Sequence, residues 1–262
     1  MGAHDARRFL SCIPEGLCYN NQETSGGGTV RQRSKRGKAM RSGIETTDIT
    51  EAVRRENASV LYDGASGTIV RIGEDTILTD IPDGMELCGR IQELGAQNCV
   101  LYCVKSDDAA QALLDTFHFA ATMPCVQAVY AKPQPPVLPP CDIRPLTQLD
   151  AAFAAAHYHP EEDNLDYLRG RIAAGRMWGL FEGNAIAGFI GMHPEGSMGL
   201  LEVLPEYRRR GYGYLLEAYL IRLHLQRGWT PYCHVVKGNE PSLRLQKKLG
   251  FEFAEKPAIW VF

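Results

Sequence analysis

Apolar residues fall along this chain in two rhythms: short unbroken or alternating runs that suit strands, and runs at helical spacing that suit amphipathic helices. In the first half they predict strands at Ser59–Tyr62, Gly67–Ile72 and Thr76–Asp80, and a helix over Met85–Leu94. A strand at Cys99–Val104, a helix over Asp108–Phe117 and a strand at Cys125–Tyr130 follow. The second half predicts a strand at Asp142–Leu146, helical stretches Leu149–His157 and Leu165–Ala174, and strands at Met177–Glu182, Ile186–Met192 and Gly199–Leu204. The helix Gly213–Gln226, the strand Tyr232–Val236, the helix Pro241–Leu249 and a last stretch Ile259–Phe262 close the chain. From Met177 the order strand, strand, strand, helix, strand, helix, strand repeats that of the first half. "FHFAATMPCVQAVY" from Phe117 also resembles "FEFAEKPAIWVF" from Phe251, with Phe119 and Phe253 aligned at an offset of 134. The chain reads as a tandem of two related α/β domains with mixed sheets.

Two stretches break the pattern. Residues 1–39 contain "TSGGGTVRQRSKRGKA", glycine-rich and then basic, with no periodicity; such a segment cannot bury enough surface to order itself and is expected to be disordered. A basic arm contacting nucleic acid is the alternative reading of it. "KPQPPVLPP", Lys132 to Pro140, holds five prolines, which cannot continue a helix or a central strand. The expected organisation is therefore a disordered extension 1–39, a first domain 40–132, a semi-rigid linker 133–140 and a second domain 141–262.

Composition narrows the function. With 28 basic and 31 acidic residues the chain lacks the global basicity of a nucleic-acid binder, so no nucleic-acid partner is expected. The eight cysteines form no paired CxxC framework and sit mostly in apolar runs, as reduced thiols do in a reducing compartment. No run is long and apolar enough for a membrane span, and the N-terminus lacks the apolar core of a signal peptide. These features predict a cytoplasmic protein without a membrane partner.

The chemistry concentrates in "LEVLPEYRRRGYGYLLEAYL", Leu201 to Leu220, where a strand passes through arginines and spaced glycines into a helix. A helix N-terminus offers unpaired N–H groups and a favourable dipole, and glycine lets a ligand approach the backbone, so the junction is an anion site. It lacks the third glycine of the Rossmann fingerprint and the GK[ST] of the Walker loop. Arg208-Arg209-Arg210-Gly211-Tyr212-Gly213 has the form [QR]xxGx[GA], and it resembles the pyrophosphate loop of the GNAT superfamily of acetyl-CoA-dependent N-acetyltransferases. "VVKGNEPSLRLQKKLGF", Val235 to Phe251, is similar to the second signature of that family, an Asn-x-x-Ser start to a helix ending in KLGF. The wording of both is closest to the glycine N-acyltransferase-like branch, and the resemblance covers Cys141 to Phe262.

The resemblance implies a GNAT fold, an acetyl-CoA cosubstrate and a small-molecule amine or amino-acid-like acceptor that attacks the thioester directly in a ternary complex. It implies that Arg208, Arg209, Gly211, Tyr212 and Gly213 form the pyrophosphate loop and that Arg210 reaches another phosphate through its guanidinium fork. Val203 and Leu204 would pair with the pantetheine arm as an added strand would. Asn239 and Ser242 would touch the same arm, with capping of the following helix as the alternative. The corresponding stretch of the first half, "ILTDIPDGMELCGRI", has neither the arginines nor the paired glycines, so the first copy is expected to keep the fold without binding coenzyme A by itself.

Catalysis needs a base, because a protonated amine has no lone pair. Glu202, the one ionisable residue in "GLLEVL", is the first candidate, since partial burial makes a carboxylate a better base. A carboxylate in solvent or paired to an arginine is the alternative. Related enzymes often carry the base earlier on this strand, where Ser197 stands here, and place an acidic tyrosine where Gln246 stands; glutamine can donate a hydrogen bond to sulfur but cannot protonate it. His234 is a second candidate base or shuttle, or else a structural strand histidine. The segment "AHYHPEEDNLDYLRGR", with His157, Tyr158, His159, Glu161, Glu162 and Asp163, is expected to roof an acidic acceptor pocket. His157-x-His159 has no third ligand placed by sequence, so no metal is expected. A non-catalytic acyl-CoA-binding or interaction module is the competing function, and the chain is expected to act as a monomer or homodimer.

Overall fold

The structure, a computed structural model, describes residues 43–262. The segment 1–39 expected to be disordered, and Cys12 and Cys18, lie outside the described residues. Helix α1, Thr47–Arg54, has no counterpart in the hydropathy pattern because its buried face is largely polar: Asp48 and Glu51 are buried beside Ile49 and Ala52. Each carboxylate has its cation. Glu51 pairs with Arg54 and Arg55 at 2.6 and 2.8 Å, and Asp48 with Lys105 at 2.5 Å. Buried charge of this kind persists only when it is paired and hydrogen-bonded.

The first half continues with β1 Ala58–Asp63, β2 Thr68–Ile72, β3 Thr76–Thr79, α2 Gly84–Glu93, β4 Leu101–Val104, α3 Asp107–Phe117 and β5 Thr122–Val129. The second half runs β6 Asp142–Pro145, α4 Ala151–His157, α5 Leu165–Ala173, β7 Met177–Glu182, β8 Ala185–Met192, β9 Met198–Val203, α6 Tyr212–Gln226, β10 Tyr232–Val236, α7 Glu240–Leu249 and β11 Glu252–Val261. Helices α2 and α3 have Asp83 and Ser106 as N-caps, and α7 has Asn239.

The two halves exchange their last strands. One sheet runs β1-β2-β3-β4-β11-β5-β10, and a second runs β6-β7-β8-β9. Strand β11 thus lies between β4 and β5, and β5 between β11 and β10, so the order reads the same from either half. The offset of 134 carries Pro124 onto Ala258 and Cys125 onto Ile259. Those four residues form two adjacent pairs of the ladder, Pro124 opposite Ile259 and Cys125 opposite Ala258. A pseudo-twofold axis passes between them.

Strand β11 begins seven residues before the stretch Ile259–Phe262 that hydropathy alone marks. Pro257 conceals it, because proline cannot donate to a ladder; here a register shift between Phe253 and Pro257 accommodates it inside a central strand. The halves also differ in one junction. β3 and β4 pair in parallel through Thr76–Leu101, Ile77–Tyr102 and Leu78–Cys103, whereas β9 and β10 belong to separate sheets. The register of β9 on β8 shifts between Phe189 and Gly191, and Leu200 takes a left-handed φ of 53° there. A bulge of this kind bends its strand, and β9 leaves the ladder on its β10 side.

That bend sorts the side chains of β9. Met198, Leu201 and Val203 pack with Leu216, Leu220 and Leu249 under α6 and α7, while Leu200 packs with Ala154, Leu168 and Phe189 under α4 and α5.

Candidate functional site

Helix α6 starts at Tyr212 with no side-chain hydrogen bond capping its first turn. Its N-cap, Gly211, has φ 86°, a left-handed conformation that costs an L-residue roughly 1–2 kcal/mol, and its position is open to solvent. Arg208, Arg209, Arg210 and Gly211 are all exposed. Unpaired N–H groups, the positive end of the dipole and three guanidiniums thus share one accessible corner.

The equivalent corner of the first half is closed from within. Asp83 Oδ1 accepts the Glu86 N–H at 2.8 Å, and Asp108 Oδ2, from α3, accepts the Gly84 N–H at 2.7 Å. Two carboxylates occupy the place where an anion would bind. An added Cβ on Gly84 would also lie 2.7 Å from the Asp108 carbonyl oxygen, so α3 packs directly on this helix start.

The arginines of the second half reach back along the strand. Arg208 donates through Nε to the Val203 carbonyl at 2.9 Å and through a terminal nitrogen to Glu202 Oε1 at 3.0 Å. Arg210 lies 3.5 Å from Glu182 and 5.3 Å above the Tyr207 ring, which stacks on Tyr212 at 6.2 Å. Both backbone groups of Leu204 are committed: its N–H donates to Ala187 and its carbonyl accepts from Tyr207. Val203, the other residue expected to pair with an extended ligand, has its carbonyl engaged by Arg208. Beside them a cavity of about 290 Å³ is bounded by Phe153, Ile186, Leu204 and Tyr207.

Residues 177–261 match the model of the FR47-like protein family. None of the curated proteins matches the chain. Among solved structures it resembles a Drosophila protein with a TM-score of 0.57 and 20% identity, over 74% of this chain and 73% of that one. It also resembles a GCN5-related N-acetyltransferase-like protein from Streptococcus suis, at 0.51 and 12%, over 82% and 93% of the two chains. A GCN5-related N-acetyltransferase from Kribbella flavida matches at 0.50 and 14%, over 83% and 93%. The chain has the GNAT acetyltransferase fold.

Within that GNAT frame Glu202 faces the side roofed by α4 and α5. It lies opposite Phe189 in the ladder, and its side chain, a quarter exposed, is paired to Arg208. Nearby, the Tyr158 phenol is driven up in pKa by burial and then by the carboxylates Glu162 and Glu202, so it stays protonated. The segment expected to roof an acceptor pocket is thus beside Glu202. Asn164 donates to the Tyr158 carbonyl and, at 3.3 Å, to that of His159, which fixes the turn.

His234 is elsewhere. Trp260 Nε1 donates to His234 Nδ1 at 3.1 Å, and an indole nitrogen can only donate, so the ring proton is on Nε2. That nitrogen donates to Gln127 Oε1 at 2.9 Å and lies 3.5 Å from Asp48. Lys105 completes the network through Asp48 and Gln127. Burial works against the Asp48 carboxylate, yet Lys105 and His234 outweigh it and hold its pKa well below the usual range. The side chain of His234 is 5% exposed, and no hydrogen bond joins it to Glu202 among the described residues. Both nitrogens of the ring are thus engaged, by Trp260 and Gln127.

Gln246 likewise points inward. It is 1% exposed and donates to Glu217 on α6 at 2.8 Å, so its amide is not directed at a ligand. Asn239 accepts the Ser242 N–H at 3.2 Å and is the cap of α7, the alternative role weighed for this pair. Sequence reasoning missed Glu217, Asp108 and Lys105, because their partners lie 24 to 57 positions away with no shared motif.

Among the described residues two groups of side chains approach metal-ligand spacing, Asp48 with Cys103 and His234, and His159 with Glu161 and Glu162. In the first, the protonated Nε2 and the Lys105 ammonium already face Asp48, so the donor set does not suit a cation. In the second, His159 and Glu161 are 3.9 Å apart and partly solvated, an ordinary surface pair. The six described cysteines are free, and among the described residues no helix is long and apolar enough to cross a membrane.

Proposed function

We propose that the second half is an N-acyltransferase that moves an acetyl group from acetyl-CoA to a small amine or amino-acid-like acceptor by direct attack. The observation that carries this reading is the uncapped, arginine-flanked start of α6, set against the carboxylate-filled start of α2. The residues present fit a nucleoside diphosphate group: Gly211 gives the turn, the first N–H groups of α6 are free to donate, and Arg208, Arg209 and Arg210 supply charge. Bound acetyl-CoA would supply an acyl thioester.

Glu202 then takes the amine proton, as the carboxylate nearest the strand edge on the α4–α5 side. Arg208 donates a hydrogen bond to that carboxylate at 3.0 Å. Tyr158 stays protonated beside it and can donate a hydrogen bond to the acceptor. Asn239 and Ser242 flank the α7 end of the same edge. A reducing, cytoplasmic setting agrees with the free cysteines and kinship with the glycine N-acyltransferase-like branch with both sequence signatures, and we propose a monomeric or homodimeric state.

The test is thiol release from acetyl-CoA across a panel of small amines, with Glu202→Gln as the control. Amine-dependent release that the variant loses supports the reading. A second reading, a non-catalytic acyl-CoA-binding module, draws on two observations: Glu202 is paired and Gln246 is turned inward. Tight binding of acetyl-CoA without turnover on any amine would decide for it.

A further inference from the structure

Glu217 on α6 and Gln246 on α7 are buried to within a few per cent, and Gln246 Nε2 donates to Glu217 Oε1 at 2.8 Å. The remaining atoms of the same two groups, Glu217 Oε2 and Gln246 Oε1, are buried without a partner. Both are acceptors if the glutamate is ionised, and two orphaned acceptors on groups already in contact are costly. One proton on Oε2 turns it into a donor, and Gln246 Oε1 is the unpartnered acceptor on the group it already touches. A carboxylic acid and a primary amide then close a ring of two complementary hydrogen bonds.

The surroundings favour the neutral acid. Among the described residues, the titratable side chain that faces Glu217 is the Cys233 thiol of β10, itself held protonated by burial. On α7 the charges of Arg244, Lys247 and Lys248 lie on the exposed face, and β9 presents Leu201 and Val203 to this core. Arg222 and His224 lie further along α6 itself. Burial without a cation raises the Glu217 pKa to about 7.

Position gives the pair a task. Glu217 is one turn along α6 from Gly213, and a Cβ on Gly213 would touch Leu245 at 3.6 Å and Val203 at 3.9 Å. The pair therefore sits directly below the point where α6, α7 and β9 meet, one turn from the anion loop.

We propose that Glu217 is a positioning residue, held as a neutral carboxylic acid in a ring with the Gln246 amide, that locks α6 to α7 so that both helix starts meet acyl-CoA together. This rests on the acyl-CoA reading of the α6 corner. Ionisation removes the donor, leaves Oε2 facing Gln246 Oε1, and loosens the lock.

The experiment uses the full chain. Infrared difference spectra of the ligand-free protein, from about pH 6 to about pH 9, read the protonated carboxyl, and acetyl-CoA titrations over the same range read the lock. Expected are a carboxyl band that titrates near neutrality and is absent in Glu217→Gln, and a wild-type Kd that rises several-fold more with pH than that of the variant. Glu217→Gln keeps two complementary amide hydrogen bonds and sets the baseline for titration of the ligand's own phosphates. Gln246→Leu, with its fold checked by circular dichroism, should bind weakly with the variant's flat profile. Absence of the band at about pH 6 overturns the ring. A band with equal pH profiles in wild type and Glu217→Gln overturns the positioning role. If acetyl-CoA binds at no pH while the band is present, the ring stands and the acyl-CoA reading of the corner fails.

Discussion

Asp108 Oδ2 accepts the backbone N–H of Gly84 at 2.7 Å, and through that contact α3 fills the N-terminus of α2 with a carboxylate. The corresponding start of α6 has no such plug. The proposed coenzyme site is therefore expected once per chain, and the difference between the halves lies in what occupies a helix end.

Excess acetyl-CoA should raise the melting temperature of wild type. At a hundred times Kd the ligand contributes roughly 2.7 kcal/mol, a shift of roughly 2–4 °C for a chain of this size. Gly211→Asp places a side chain at a left-handed position and a carboxylate at the anion corner, so it should melt slightly lower and show no ligand shift. Calorimetric stoichiometry above one ligand per chain would mean that the first half also binds.

Glu202→Gln should leave acetyl-CoA affinity within about twofold while lowering turnover roughly 10²-fold or more, the usual contribution of a positioned base. Arg208→Ala removes a phosphate partner and the Glu202 tie together, so it should weaken binding most at low salt. Stopped-flow thiol release and titrations at two ionic strengths separate these effects. Unchanged turnover in Glu202→Gln would remove it from the mechanism.

Stability against pH should show two opposing slopes. Glu217 is raised from 4.5 to about 7, so between those values the folded state keeps a proton that the unfolded chain releases, and stability falls as pH rises. His224 is lowered from 6.5 to about 4, first by burial and then by Arg55, so over nearly the same window the unfolded chain holds the extra proton and stability rises. Each slope is about 1.4 kcal/mol per pH unit and the two nearly cancel. Urea midpoints should therefore rise with pH more steeply in Glu217→Gln than in wild type, and less steeply in His224→Gln.

Lys105→Met leaves Asp48 buried without its cation and should cost roughly 3–5 kcal/mol. The double change Asp48→Leu with Lys105→Met should recover much of that loss. Denaturant unfolding of both variants measures it; equal losses would show that the pair is not coupled.

The arginine- and glycine-bearing junction was legible because all of its parts are local: strand, arginines, glycines and helix follow one another between Leu201 and Leu220. The strand order within each half was legible for the same reason, since hydropathy period reports which face of an element is buried. Even the repeat was visible, in the FxFA alignment whose offset reappears as the pseudo-twofold axis through Pro124, Cys125, Ala258 and Ile259.

Helix α1 was not legible, because Asp48 and Glu51 read as surface residues until Lys105 and Arg55 are brought to them. Strand exchange, the plug of Asp108, the inward turn of Gln246 onto Glu217 and the engagement of His234 by Trp260 all pair residues far apart in the chain. Propensity and pattern act over a few residues, whereas hydrogen-bond satisfaction and desolvation are settled only when the fold decides which groups share an interior. The sequence by itself determined most of the elements and which half carries the arginine- and glycine-bearing corner; the tertiary structure alone decided what fills the matching helix start of the first half and which ionisable groups are engaged beneath the corner.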